Sequence, residues 1–97
     1  MALVLDKNTK AFDLAIIGRG DCMRIKRTDD TVWRNGFVTR TNPQAIEIIF
    51  SNVQNNATSF MQITASDVAL GVWEVFWTTD FQTIHYENNA PGGGENA

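Results

Sequence analysis

The stretch Cys22-Met-Arg-Ile-Lys-Arg-Thr28 alternates between apolar and basic side chains, and it decides the fold class of this chain. Met23 and Ile25 fall on one side of the alternation, and Arg24 and Lys26 fall on the other. A period of two is the spacing of a β-strand that has one buried face and one exposed face. Residues 31–41 continue in the same way, so the two segments together predict a hairpin of long strands.

The rest of the chain repeats this pattern. Further strands are predicted over residues 45–50, 59–64, 72–78 and 82–86, with Asn-, Asp- and Pro-containing turns between them. Asn35-Gly36 interrupts the second strand. We interpret Gly36 as a bulge in one long bent strand, because isolated strand glycines often mark bulges. A hairpin turn at Asn35-Gly36 is the alternative, since this dipeptide is also a strong turn signal.

The ends and one internal segment differ from the strands. Residues 3–5 are a short strand or a docking arm, and Asn8 or Thr9 can cap a helix that continues from Ala11 to Ile17. Residues 65–71 predict one helical turn. The sequence therefore predicts an N-terminal arm and helix over 1–20, a small β-barrel over 21–87, and a flexible tail over 88–97 that carries three consecutive glycines.

Composition limits the class of protein. The 97 residues are 43% apolar and 20% charged, which describes one soluble globular domain. The chain has no apolar run near the ~20 residues that a membrane span needs, and its first residues do not form a secretory signal. A single cysteine excludes an internal disulfide. We expect an intracellular (cytoplasmic) or virion location and no membrane partner.

Two quoted segments carry a resemblance. Residues 27–38, Arg-Thr-Asp-Asp-Thr-Val-Trp-Arg-Asn-Gly-Phe-Val, and residues 63–68, Ile-Thr-Ala-Ser-Asp-Val, contribute to a strand order that resembles an SH3-like small barrel. The resemblance implies five or six antiparallel strands in a mainly β fold. With its added helix and flexible ends, the chain also resembles minor structural proteins of tailed phages. Fold resemblance does not by itself transfer function.

Charge is distributed unevenly along the sequence. The first 40 residues contain all eight basic residues and five acids, a net charge of +3. The remaining residues contain six acids and no Lys or Arg, a net charge of −6. This asymmetry predicts either complementary patches that join copies of the protein or a nucleic-acid surface. The alternative is that the two halves intertwine in the fold and their charges mix.

The sequence offers few groups for catalysis. A thiol–imidazole pair would need Cys22 and His85, the only residues of their types, and no signature surrounds either. A closed zinc site needs about four ligands, which one cysteine and one histidine cannot supply. We therefore expect no enzymatic activity, no cofactor and no metal.

Binding to another macromolecule is the better hypothesis. The hairpin cations beside Trp33 could contact phosphates and stack a base, although a pI near 4.9 opposes approach to nucleic acid. Trp73 and Trp77 lie on a strand whose two faces are both largely apolar, so a small barrel cannot bury both faces in its interior. Either the N-terminal helix packs on the second face and makes it part of the core, or a partner covers it. The candidate partner-binding residues are Arg24, Lys26, Arg27, Trp33, Arg34, Arg40, Trp73, Glu74, Trp77 and Asp80.

These observations favour a non-enzymatic structural, assembly or protein-interaction module, with a phage or prophage virion component as the concrete example. The expected partners are copies of the same chain or neighbouring assembly proteins, joined through the basic and acidic halves. A nucleic-acid-binding small β-barrel that uses the 24–40 hairpin is the alternative.

Overall fold

The computed structural model describes residues 3–6, 10–52 and 57–89 of the chain. These residues form eight strands and one short helix. The elements are β1 (Val4–Asp6), β2 (Ala11–Phe12), β3 (Cys22–Arg27), β4 (Arg34–Thr41), β5 (Ala45–Asn52), β6 (Ala57–Thr64), α1 (Ala65–Ala69), β7 (Trp73–Thr78) and β8 (His85–Asn88).

One antiparallel six-stranded sheet dominates the fold, with the strand order β6-β5-β4-β3-β7-β8. Strands β3 to β6 follow one another as a meander, and β7 then returns to pair with β3. The end strands β6 and β8 do not pair with each other among the described residues, so this sheet is open. The mainly β prediction is confirmed, whereas the described strands do not show the predicted barrel closure.

Strand β4 runs without a turn through Asn35 and Gly36, so the hairpin alternative is wrong. The register irregularity lies between Val38 and Arg40 rather than at Gly36. Gly36 has a different reason to be glycine, because a Cβ built there would collide with the carbonyl oxygen of Ile49 on β5. At this point the two strands approach too closely for any side chain.

The predicted N-terminal helix over residues 11–17 is wrong. Residues 11–12 form β2 instead, and Lys10 before them adopts a positive φ of 53°. The backbone N–H of Phe12 donates to the carbonyl of Pro43 at 2.8 Å, and that of Asp13 donates to the carbonyl of Leu3 at 2.8 Å. Because these long-range bonds take the amides that a helix would use, tertiary pairing overrides the local helical spacing.

The N-terminal segment (residues 3–6 and 10–17) nevertheless covers one face of the sheet, which is one of the two covers that the sequence left open. Its buried residues Leu3, Phe12 and Ile17 belong to the same core cluster as the inward-facing residues of the sheet. The sheet contributes Met23, Ile25, Val38, Ile46, Ile48, Ile63, Trp73, Val75 and Trp77 to that core. The Leu3 amide donates to Glu87 Oε1 on β8 at 2.5 Å and fixes the segment to the sheet.

Helix α1 confirms the predicted helical turn between two strands. Its N-cap is Thr64, whose hydroxyl accepts from the amide of Asp67 at 3.1 Å. Gly71 follows with a φ of 83° and ends the turn. No helix among the described residues is long and apolar enough to cross a membrane.

Residues 88 and 89, which were predicted to begin the flexible tail, belong to the fold. Asn88 belongs to β8, and the side-chain amide of Asn89 donates to the carbonyl of Val68 and to Glu87 Oε2. The remainder of the tail, residues 90–97, lies outside the described residues.

Candidate functional site

The face of the sheet that points away from the core, here called the outer face, carries a row of apolar residues. Strand registers place Phe60 opposite Ile49, Ile49 opposite Phe37, and Phe37 opposite Cys22. These four residues cross β6, β5, β4 and β3 at right angles to the strands and form what we call the apolar row. Phe60 is 62% exposed and Phe37 is 52% exposed. Soluble monomers rarely leave such contiguous apolar surface uncovered.

Two shallow clefts flank Cys22 and Asn35 on this side of the molecule. The first has a volume of about 370 Å³ and is lined by residues that include Phe37, Ile49 and Thr58. The second, of about 310 Å³, extends the apolar surface across β7 to Ile84, which is 68% exposed. Apolar surface therefore extends from one edge of the sheet to the other.

An aromatic cluster of Trp33, Phe76 and Tyr86 lies beside the apolar row. The ring centroids of Trp33 and Phe76 are 5.5 Å apart, and those of Phe76 and Tyr86 are 4.7 Å apart. The Arg24 guanidinium lies 4.5 Å from the Trp33 ring centroid, and the Lys26 ammonium lies 5.5 Å from it. Both distances are those of cation–π contacts. The structure thus brings together three predicted site residues from β3 and the segment before β4.

Glu74 links this cluster to the cations. Its Oε2 lies 2.7 Å from Lys26 Nζ, and its Oε1 accepts a hydrogen bond from the Tyr86 hydroxyl at 3.1 Å. Partial burial raises the pKa of Tyr86 above its ordinary value of 10.0, and the hydrogen bond and negative charge of Glu74 raise it further. The phenol is therefore held as a donor to the carboxylate.

Tyr86 is the only tyrosine in the sequence, so its ionisation can be followed by tyrosinate absorbance alone. We expect a titration midpoint above 10.0, and a lower midpoint in Glu74→Gln, which removes the charge that the phenolate would face. The pKa of Tyr86 is higher in the folded protein than in the unfolded chain, so the protonated phenol stabilises the folded state. This contribution to the free energy of unfolding is present below pH 10.0 and is lost as the pH rises through the raised pKa. An unchanged midpoint in Glu74→Gln, with the fold intact by circular dichroism, would contradict the assigned contact.

The other predicted cations lie apart from this cluster. Arg27 contacts Asp29 at 3.5 Å and lies 5.7 Å from the Trp73 ring centroid. Arg34 lies 5.8 Å from the Phe50 ring centroid, and Arg40 is 3.9 Å from Glu47. Arg27, Arg34 and Arg40 thus contact three different groups, away from the Trp33 ring that Arg24 and Lys26 share. Lys26, Arg27 and Arg40 each have a carboxylate within 4 Å.

Trp73 and Trp77 occupy the core and are not available to a partner. They are 6% and 1% exposed, respectively, and both belong to the cluster beneath the N-terminal segment. Their placement as partner-binding residues is therefore wrong. The predicted alternation of side chains along β7 is confirmed. The N-terminal segment covers the face that carries the two tryptophans, and the outer face carries Glu74 and Phe76.

Asp80 has a local structural role. Its Oδ1 accepts from the backbone amides of Gln82 and Thr83 at 2.9 and 2.8 Å, and these bonds stabilise the turn between β7 and β8. The amide bonds, that of Thr83 first, lower the pKa of the carboxyl below its usual 3.8. Asp80 is thus explained by the turn without any partner.

The sheet separates the two residues that a thiol–imidazole pair would need. Cys22 pairs with Thr78 on the outer face, whereas His85 pairs with Trp77 on the core face, 5.3 Å from its ring. The described residues also contain no group of three or more His, Cys, Asp or Glu side chains placed to hold a metal ion.

The basic and acidic parts of the sequence intertwine. Strand β3 from the basic part pairs along its whole length with β7 from the acidic part. Lys26 and Glu74 consequently neutralise each other within one chain at 2.7 Å. This ion pair agrees with the alternative stated above, that the two halves of the sequence intertwine and their charges mix. Lys26 and Glu74 do not lie on two separate complementary patches.

The sequence reasoning missed Phe37, Ile49 and Phe60, the exposed centre of the outer face. The signal was present in the consecutive apolar residues Phe37-Val38, Ile48-Ile49 and Phe60-Met61. On a strand, adjacent apolar residues must point to opposite faces. One member of each pair is therefore placed outside the core.

Comparisons with curated proteins and with solved structures gave no match. A family model does match, over residues 3–84, and its description is Domain of unknown function (DUF5026). The matched range extends from the buried N-terminal segment through the open sheet to the residue before β8. Because the match covers most of the 97 residues, the chain belongs to the DUF5026 family.

Proposed function

We propose that the protein is a non-enzymatic assembly module that binds other protein molecules through its outer face. The observation that carries this proposal is the asymmetry of the sheet. The N-terminal segment buries one face, while the outer face keeps Phe37 52%, Phe60 62% and Ile84 68% exposed. Burying such aromatic and aliphatic side chains is the main source of binding energy in protein interfaces.

The fold in which we place this function is an open sheet whose strand order resembles that of an SH3-like barrel. The meander β3 to β6, the single turn of α1 and the return of β7 to β3 support that proposal. The resemblance to minor structural proteins of tailed phages supplies a setting, a particle in which many copies of small proteins meet. An intracellular or virion location belongs to the same proposal.

The charges favour protein over nucleic acid. Nucleic-acid affinity depends on cations that are free to replace counterions around phosphates. Here Lys26 is held by Glu74 and also donates to the carbonyl oxygens of Arg27 and Asp30. Arg24 lies against the Trp33 ring, so a nucleic-acid surface here would depend on this cation and this ring.

The test uses opposite charges at one exposed position. We expect both Phe37→Lys and Phe37→Glu to weaken self-association by at least about ten-fold, because either charge must be desolvated in an apolar contact. Leu70→Lys is the control, since Leu70 is 59% exposed but caps α1 on the core side of the sheet. Sedimentation velocity of the full chain and its variants measures the effect.

Nucleic-acid binding would respond differently to these two variants. A nucleic-acid surface would gain affinity from Phe37→Lys and lose it in Phe37→Glu, because phosphates attract one charge and repel the other. Micromolar binding of a DNA or RNA oligonucleotide at ~150 mM salt by a monomeric protein would overturn the proposal.

A further inference from the structure

Strand β6 forms one edge of the six-stranded sheet, and among the described residues no strand pairs with its other side. Its eight residues pair with β5 along their whole length. Among the described residues, no other backbone hydrogen bond reaches residues 57–64. Within this part of the chain, alternate N–H and C=O groups along the other side of β6 have no strand partner, and another strand can add there.

The composition of β6 lacks the features that normally protect an edge. The strand reads Ala-Thr-Ser-Phe-Met-Gln-Ile-Thr and contains no charged residue, no proline and no glycine. Soluble proteins usually block strand addition with short edges, charges, prolines or bulges. The opposite edge does so, because β8 has only four residues and contains Glu87, whose carboxylate binds the N-terminal segment.

We propose that β6 pairs in antiparallel fashion with β6 of a second copy of this chain, an inference that rests on the proposed assembly function and names its partner. A two-fold axis brings identical residues together, so a self-pairing edge must avoid like charges. The uncharged β6 meets that requirement. Phe60 of each copy lies beside Phe60 of the other, and the apolar row continues across a sheet of twelve strands.

The same axis supplies the experiment. Phe60→Lys or Phe60→Glu places two like charges beside each other at the axis, and we expect each variant to raise the dimer dissociation constant at least about ten-fold. Mixing the two variants in equal amounts pairs Lys with Glu, and we expect the heterodimer to recover most of the lost affinity. Sedimentation velocity with one variant fluorescently labelled distinguishes the heterodimer from either homodimer.

Phe81→Lys is the matched control. Phe81 and Phe60 are both 62% exposed, but Phe81 lies in the turn before β8, at the opposite edge of the sheet. We expect this variant to associate like the wild type. We also expect the alternate β6 amides that point away from β5 to exchange more slowly with solvent in wild-type dimer than in Phe60→Lys monomer, because strand addition protects them.

The outcomes separate this inference from the proposed function. Phe37 lies two strands from the β6 edge, so the two variants test different contacts. If Phe60→Lys remains dimeric while Phe37→Lys dissociates, edge pairing is wrong and association through the outer face stands. If Phe60→Lys dissociates while Phe37→Lys remains dimeric, edge pairing stands and association through the outer face is wrong. If the mixture of Lys and Glu variants fails to form a heterodimer, the two-fold arrangement at Phe60 is wrong. If the wild type is monomeric at every concentration, both self-association and edge pairing are contradicted.

Discussion

Replacing Gly36 with alanine is expected to lower the free energy of unfolding by about 3 kcal/mol, the upper part of the range for overpacked sites. The added Cβ would collide with the carbonyl oxygen of Ile49, which is backbone and cannot rotate away as a side chain could. Strands β4 and β5 would have to separate along the centre of the sheet. Urea unfolding followed by circular dichroism measures the change.

Gly18→Ala is the matched control for this prediction. A Cβ at Gly18 meets nothing within 4 Å, and neither Gly18 nor Gly36 has a positive φ. Both substitutions therefore reduce the flexibility of the unfolded chain alike, and only one creates a clash. We expect Gly18→Ala to stay within ~0.5 kcal/mol of the wild type. A loss below ~1 kcal/mol for Gly36→Ala would show that the strands are not in such close contact.

Truncating Trp77 to alanine is the second large effect, an expected loss of about 4 kcal/mol. Trp77 is 1% exposed and is among the largest fully buried side chains of the described core. Its removal leaves a cavity beneath the N-terminal segment and also removes the contact with the His85 ring. A small domain has only ~5–15 kcal/mol of stability, so chemical unfolding should shift strongly to lower urea concentration.

Trp77→Phe separates packing from polar effects. The Trp77 indole N–H is buried and has no hydrogen-bond partner among the described residues. Phenylalanine keeps an aromatic ring and removes that N–H, so we expect a cost of less than ~1.5 kcal/mol. A Trp77→Ala protein that keeps its stability but loses self-association would place Trp77 at an interface and contradict its burial.

The strands were predictable because their signal is local. The six predicted strands correspond to β3 to β8, with ends displaced by a few residues, and residues 65–71 correctly predicted a helical turn. Phe12, Ala15 and Ile16 have helical spacing, yet the segment forms a strand and turns. The deciding bond, from the Phe12 amide to the Pro43 carbonyl, joins residues far apart in sequence. No local pattern contains that information.

The candidate site was predictable to a similar extent. Alternation correctly placed Arg24 and Lys26 on one face of β3, and Trp33 does lie beside them. It could not decide which face of β7 the N-terminal segment covers. Tryptophan is common both in cores and at interfaces, so residue type did not resolve the question. Only the register across all strands shows that the apolar row is continuous.

The charge asymmetry illustrates a separate limit. Net charges of the two sequence halves predict surface patches only if each half folds as a separate region. Here β7 crosses back to β3 and brings Glu74 to Lys26. The association we propose is therefore apolar, and its dependence on salt should differ from that of a charge-steered contact.

The most direct test of this account is the mass of the wild-type chain in solution, measured by sedimentation equilibrium over a range of concentrations at low and high salt. We expect a concentration-dependent dimer whose dissociation constant is unchanged or lower at high salt, because salt screens charges but does not weaken apolar burial. A chain that stays monomeric at every concentration, or a dimer that dissociates as salt is added, would contradict association through the apolar outer face.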